Sequence, residues 1–136
     1  MPQDLKADLK DRIDTIEEAF EYMMAYAAQG QDHEDPSEGG GIRSWLIKAA
    51  AALEDLPQLA QTRTTSVTSI EAGDWAEFLE TVKTDSARAR TLINFALAEP
   101  NLNSELGDTL NATNHVRTIL TDIFLLDSAF EAHEQT

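Results

Sequence analysis

Residues 3–29 read QDLKADLKDRIDTIEEAFEYMMAYAAQ, and this stretch decides the fold class. Its apolar residues recur at alternating intervals of four and three positions, at Leu9, Ile13, Ile16, Phe20, Met23 and Ala27. That spacing places them on one face of an α-helix, while acidic residues occupy the other faces. The stretch therefore predicts an amphipathic helix that buries one side against neighbouring helices.

Three later stretches repeat the same spacing. They predict helices over about 42–56, 74–98 and 102–131. Pro57 is expected to end the second helix, because proline removes a backbone hydrogen bond and clashes with the preceding turn. Asp74 and Glu77 resemble a capping box that would open the third helix. In the fourth helix, Leu120 and Phe124 widen the apolar face.

The four predicted helices indicate one all-α domain over residues 1–136, built as an antiparallel four-helix bundle. The stretch 30–41 ends in three consecutive glycines, which predicts a flexible loop after the first helix. The Ser/Thr-rich stretch 57–72 predicts a long connection between the second and third helices.

The charge balance narrows the choice of partners. Asp and Glu total 25 against 10 Lys and Arg, which gives a net charge of −15. Such a field repels phosphate backbones and anionic lipid, so we expect no nucleic acid and no membrane as partner. A basic protein partner, a salt-adapted host and simple solubility all fit this acidity.

Cellular location is predicted from what the sequence lacks. It has no cysteine, which excludes disulfides and thiolate metal sites and fits a reducing compartment. No secretory signal stands at its start, and no apolar run approaches the roughly 20 residues that span a bilayer. We therefore expect a cytoplasmic protein.

Catalytic and metal-binding patterns are weak in this sequence. No Glu-x-x-His pattern precedes His33, His115 or His133, which argues against a di-iron bundle. The run Asp32-His33-Glu34-Asp35 holds metal ligands, and we interpret it as either a weak divalent-cation site or a solvated acidic loop. Without a nucleophile or phosphate-binding motif we expect no enzyme activity and no cofactor.

Two sets of residues are candidates for binding. A ligand pocket is predicted near Trp45, Trp75, His115 and Asn111, the alternative being that the aromatic residues are core and the polar residues face solvent. A subunit interface is predicted from apolar residues that do not fit the inward faces, namely Tyr22, Met24, Tyr26 and Leu125.

The sequence therefore favours a non-enzymatic protein-interaction module, such as an adaptor, assembly factor or regulator, that acts as a helical homodimer. The alternative is a bundle that binds a small ligand or a metal. A further variant is an acidic mimic of nucleic acid that binds a basic protein, with an affinity that falls as salt is added.

Overall fold

Five α-helices make up the described part of the chain, in a computed structural model that describes residues 4–34, 41–67, 70–112 and 114–134. They are α1 (Leu5–Ala27), α2 (Ile42–Ser66), α3 (Ala72–Leu97), α4 (Ser104–Asn111) and α5 (Asn114–Glu134). Those residues contain no strand. The predicted all-helical class is confirmed, whereas the predicted number of helices was four.

Neighbouring long helices run antiparallel. Arg12 pairs with Asp55 and Tyr22 stacks on Trp45, so residue numbers rise along α1 as they fall along α2. Glu54 of α2 pairs with Arg90 of α3, and the start of α3 meets the end of α5. α2 thus lies between α1 and α3, α5 packs mainly on α3, and the short α4 packs mainly on α1.

The core is formed by the inner faces of all five helices and by the turn before α4. The predicted positions on α1 from Leu9 to Met23 are all buried. The largest completely buried side chains are Ile16, Met23, Leu46, Leu53, Leu56, Val82, Ile93, Leu102, Val116, Ile119, Ile123 and Leu126. On α1 the residues selected by the four-and-three spacing are therefore the ones that face the core.

The second helix is ten residues longer than its predicted end, because it continues through Pro57 to Ser66. The apolar face continues past the proline with Leu56 and Ala60, which are both completely buried. Beyond them, Thr64 donates its hydroxyl to the carbonyl of Ala60 at 2.8 Å. Packing and these local hydrogen bonds outweigh the proline, so most of the predicted Ser/Thr-rich connection is helix.

Replacing Pro57 tests whether the proline strains α2. Pro57→Ala supplies an N–H that can bond the carbonyl of Leu53 and removes the ring, so we expect the free energy of unfolding to rise by about 1–3 kcal/mol. Urea unfolding followed by circular dichroism measures this change. Gln61→Ala on the exposed side of α2 is the control, with an expected effect within about 0.5 kcal/mol. A loss of stability in Pro57→Ala would contradict the prediction.

The predicted fourth helix is two helices. α4 ends at Asn111 and Ala112 forms a turn, while α5 begins at Asn114. Asparagine favours turns over helix interiors, since its side chain competes for backbone hydrogen bonds. The two helices also have different partners, because α4 lies on α1 and α5 lies on α3. A single straight helix could not serve both contacts.

Two boundaries around α3 and α1 also differ from prediction. α3 begins at Ala72, two residues before Asp74, so Asp74 lies in the first turn and is not the cap. α1 ends at Ala27, and Gly30 adopts a left-handed conformation with φ of 65° just beyond it. The predicted flexible glycine loop falls largely on residues 35–40, which lie outside the described residues.

Candidate functional site

The residues predicted to form a ligand pocket do not meet. Trp45 lies 5.9 Å from Tyr22, between ring centroids, at the end of the bundle where α2 begins. Trp75 lies 5.0 Å from Phe130, where α5 ends. Because α1 passes Trp45 near its end and Phe130 near its beginning, the two tryptophans stand at opposite ends of the bundle.

The two polar candidates also lie apart from the tryptophans. His115 is exposed and lines a shallow surface groove with Arg88 and Leu92 of α3. Asn111 is half-buried at the last position of α4. The structure therefore supplies no common cavity for the four predicted ligand residues.

The residues of the predicted metal-binding run, Asp32 to Asp35, do not share one environment. Asp32 and His33 are exposed, and Asp35 lies outside the described residues. Glu34 instead forms a salt bridge with Arg43, at 2.7 Å between Oε1 and Nη2 and 3.1 Å between Oε2 and Nε. Within the described ranges, no three His, Asp or Glu side chains are grouped so that they could hold a metal ion.

Arg43 joins two loops at one end of the bundle, in an arrangement we name the Arg43 clamp. Besides Glu34, the guanidinium donates to the carbonyl oxygens of Leu97 at 2.7 Å and Glu99 at 2.9 Å. The carboxylate of Glu34 in turn accepts from the backbone N–H of Leu102 at 2.6 Å. The clamp therefore ties the segment after α1 and the start of α2 to the end of α3.

The clamp holds Glu34 in its charged form. Hydrogen bonds from Arg43, helped by the Leu102 N–H, lower the pKa of Glu34 against the opposing effect of burial. A carboxylate whose pKa is lowered on folding stabilises the fold above its ordinary pKa, and this contribution disappears as the pH falls. Glu34 therefore has a structural role, in which its carboxylate binds Arg43 and the Leu102 N–H.

Removing that charge tests the clamp. We expect Glu34→Gln to lower the free energy of unfolding by about 1 kcal/mol at pH 7, since a partly exposed, multiply bonded ion pair contributes at the upper end of the range for surface pairs. The loss should shrink as the pH is lowered towards 3. Thermal unfolding at both pH values measures it, with Asp32→Asn as the control. An equal loss at both pH values would show that the charge of Glu34 is not what matters.

A groove lies between α1 and α5, which do not pack closely on each other. This α1–α5 groove has a volume of about 490 Å³. It is lined by Lys6, Leu9, Lys10, Ile13, Arg63, Asp127, Phe130 and Glu131. Leu9, Ile13 and Phe130 are buried and form an apolar floor. Charged side chains from α1 and α5 face each other above it.

Charge in the groove differs from that of the surface as a whole. Three of the ten Lys and Arg residues lie there, which are Lys6, Lys10 and Arg63. The guanidinium carbon of Arg63 lies 5.1 Å from the ring centroid of Phe130, a cation–π contact. Nearby on α1, burial and the charges of Asp14 and Asp127 raise the pKa of Glu17. The groove thus combines apolar and cationic groups with acidic ones.

Sequence reasoning did not select this groove. Lys6 and Lys10 are four positions apart on a helix, so a shared face was readable from the sequence. Arg63 lies in the stretch predicted as a connection, and its stacking on Phe130 depends on the continuation of α2 past Pro57. The groove therefore required tertiary information.

The four predicted interface residues lie in different environments. Tyr26 is buried, donates a hydrogen bond to the carbonyl of Leu102 and covers Gly107, so its predicted place on a surface is wrong. Tyr22 is half-buried against Trp45. Met24 and Leu125 are exposed, and Leu125 is 56% exposed on α5.

The solvent side of α5 carries a surface that we name the α5 outer stripe. It consists of the exposed residues Arg117, Thr118, Thr121, Phe124, Leu125 and Ser128. Phe124, predicted to widen the inner face, is instead 56% exposed beside Leu125. The exposed acidic residues Asp127 and Glu131 of α5 lie beside this stripe.

Comparisons with known proteins give no match from which these features could be interpreted. No family model, no curated protein and no solved structure matches this chain. In the described ranges, no helix is both long and apolar enough to cross a membrane.

Proposed function

We propose that this chain is a non-enzymatic protein-interaction module, an adaptor, assembly factor or regulator, that self-associates as a helical homodimer through the α5 outer stripe. The observation that carries the proposal is the pair Phe124 and Leu125, two large apolar side chains that are both 56% exposed and consecutive on one helix. Burying apolar surface contributes about 25 cal/mol for each Å² removed from water.

The charge distribution favours a second copy as the occupant. A like-charged copy carrying −15 is repelled by an acidic surface, but the stripe holds no acidic side chain. The nearest acidic residues of α5, Asp127 and Glu131, are exposed beside the stripe and line the α1–α5 groove. A two-fold dimer brings identical patches together, so one acid-free stripe serves both partners.

Net charge sets how the dimer responds to salt. Two copies of −15 repel each other at long range, and salt screens this repulsion within about 10 Å at 0.1 M. Dimerisation through an apolar stripe should therefore strengthen as salt is added. Binding of a basic protein by an acidic surface has the opposite salt dependence.

Two serine substitutions test the interface. We expect Phe124→Ser combined with Leu125→Ser to raise the dimer dissociation constant at least about tenfold, because each buried apolar anchor contributes more than about 1 kcal/mol. Sedimentation equilibrium at low and high salt measures this constant, and circular dichroism checks that helix content is kept.

The matched control is Phe95→Ser, which removes an apolar side chain that is 70% exposed on α3. It should leave the dissociation constant unchanged. A strict monomer at high protein concentration would contradict the homodimer. If Phe95→Ser dissociates the dimer and the α5 variant does not, the interface lies on α3.

A second candidate function is binding of a small amphipathic anion in the α1–α5 groove. The cavity volume of about 490 Å³ is of the size that small-molecule sites have. Its apolar floor suits a hydrocarbon or aromatic body, and Lys6 and Lys10 on its rim suit an anionic group.

An aromatic sulfonate dye, 8-anilinonaphthalene-1-sulfonate, tests the groove by fluorescence titration. We expect Lys10→Glu to weaken dye binding about fivefold, equal to about 1 kcal/mol. Lys48→Glu is the control, because it makes the same charge change beside Trp45, away from the groove. Equal weakening by both variants would indicate a general charge effect, and the groove would not be the site.

A further inference from the structure

A second cavity lies between α2 and α3 beside Pro57, and we name it the α2–α3 cavity. Its volume is about 280 Å³. At roughly 30 Å³ for each water-sized group, it has room for a molecule of about ten non-hydrogen atoms. Leu53, Pro57 and Ala87 give it an apolar wall, and the remaining residues that line it are polar or charged. The cavity is therefore of a size for a small metabolite, and it shares no residue with the α1–α5 groove.

Ser86, on the α3 side of the cavity, has a buried hydroxyl group without a partner. The residue is 1% exposed, and its Oγ atom forms no hydrogen bond within the described ranges. On the same helix, the hydroxyl groups of Thr81 and Thr91 each donate to the carbonyl four residues earlier, at 3.0 and 2.8 Å. A buried hydroxyl that lacks such a bond destabilises the fold. The wall of the cavity thus holds a donor that an acceptor on a ligand would satisfy.

Charges of both signs lie at one end of the cavity. Arg90 of α3 and Glu54 of α2 both line it, with 3.6 Å between Nη1 and Oε1. This distance exceeds the range of a hydrogen bond, so the guanidinium keeps its donors and the carboxylate keeps its acceptors. The two side chains are 35% and 69% exposed, which leaves both accessible to a ligand. This end of the cavity therefore fits a molecule that carries a carboxylate and an ammonium group side by side.

The spacing along α3 sets the length of such a molecule. Ser86 precedes Arg90 by four residues, so the two lie on one face of α3, about 6 Å apart along its axis. A side chain of two methylene groups and an amide covers about this length. When the carboxylate and ammonium groups of an α-amino acid bind at Arg90 and Glu54, the amide oxygen of such a side chain reaches the hydroxyl of Ser86.

Net charge favours a neutral ligand in this cavity. The chain carries −15 and repels anions at long range. An amino acid with a side-chain amide is a zwitterion without net charge, so this repulsion does not act on it. Lys83 is the other charged residue that lines the cavity, and it lies on α3 one turn before Ser86. A second carboxylate on the ligand would have Lys83 as its only further cation there.

We propose that the α2–α3 cavity binds a free α-amino acid with a side-chain amide, and that glutamine has the required length. Arg90 binds the carboxylate, Glu54 binds the ammonium group, and Ser86 donates to the amide oxygen. The methylene groups pack on the apolar wall beside Pro57. Because the ligand joins α2 to α3, its binding stabilises the folded chain.

Titration with L-glutamine at about 0.1 M salt, followed by the amide resonances in NMR, tests the cavity. We expect saturable shifts at the residues that line it. Arg90→Gln and Glu54→Gln should each raise the dissociation constant at least about tenfold, because each removes a charge-assisted hydrogen bond. The control Glu77→Gln makes the same charge change as Glu54→Gln, at an exposed position of α3 outside the cavity, and should leave the constant unchanged. Resonances that stay in place at about 10 mM L-glutamine overturn the proposal.

L-norvaline, which has a methyl group in place of the side-chain amide, isolates the role of Ser86. Ser86→Ala should weaken the binding of L-glutamine about fivefold and leave the binding of L-norvaline unchanged. The variant removes an unsatisfied buried hydroxyl, so without ligand its thermal unfolding midpoint should rise by about 2–5 °C. Equal weakening of both ligands, or a lower midpoint, would overturn the assignment of Ser86 as the donor to the ligand.

Discussion

The packing of α2 between α1 and α3 is the contact on which the other helices depend. Leu46, Leu53, Leu56 and Ala60 form one completely or almost completely buried line along it. Each buried leucine contributes roughly 1.5–3 kcal/mol, which together exceeds the cost of about 3 kcal/mol for a proline inside a helix. The continuation past Pro57 also brings Arg63 under Phe130, so the end of α5 is positioned by α2 as well as by α3.

The sequence predicted a helix correctly where the burial of its apolar face alone determines the structure. The spacing from Leu9 to Met23 placed α1 correctly because these side chains can be buried only in the core. Prediction was wrong where two effects competed. At Pro57 the packing of α2 outweighs the helix-breaking effect of proline. At Ala112 the helix ends although the apolar pattern continues, because α4 and α5 pack on different helices. Neither outcome can be predicted without knowing which helices pack against these residues.

Site residues were less predictable, because a residue type on a helix does not reveal what faces it. Glu34 was a candidate metal ligand because it lies in a run of acidic residues, but its carboxylate forms a salt bridge with Arg43. Phe124 was predicted to widen the inner face of its helix, and it is instead 56% exposed.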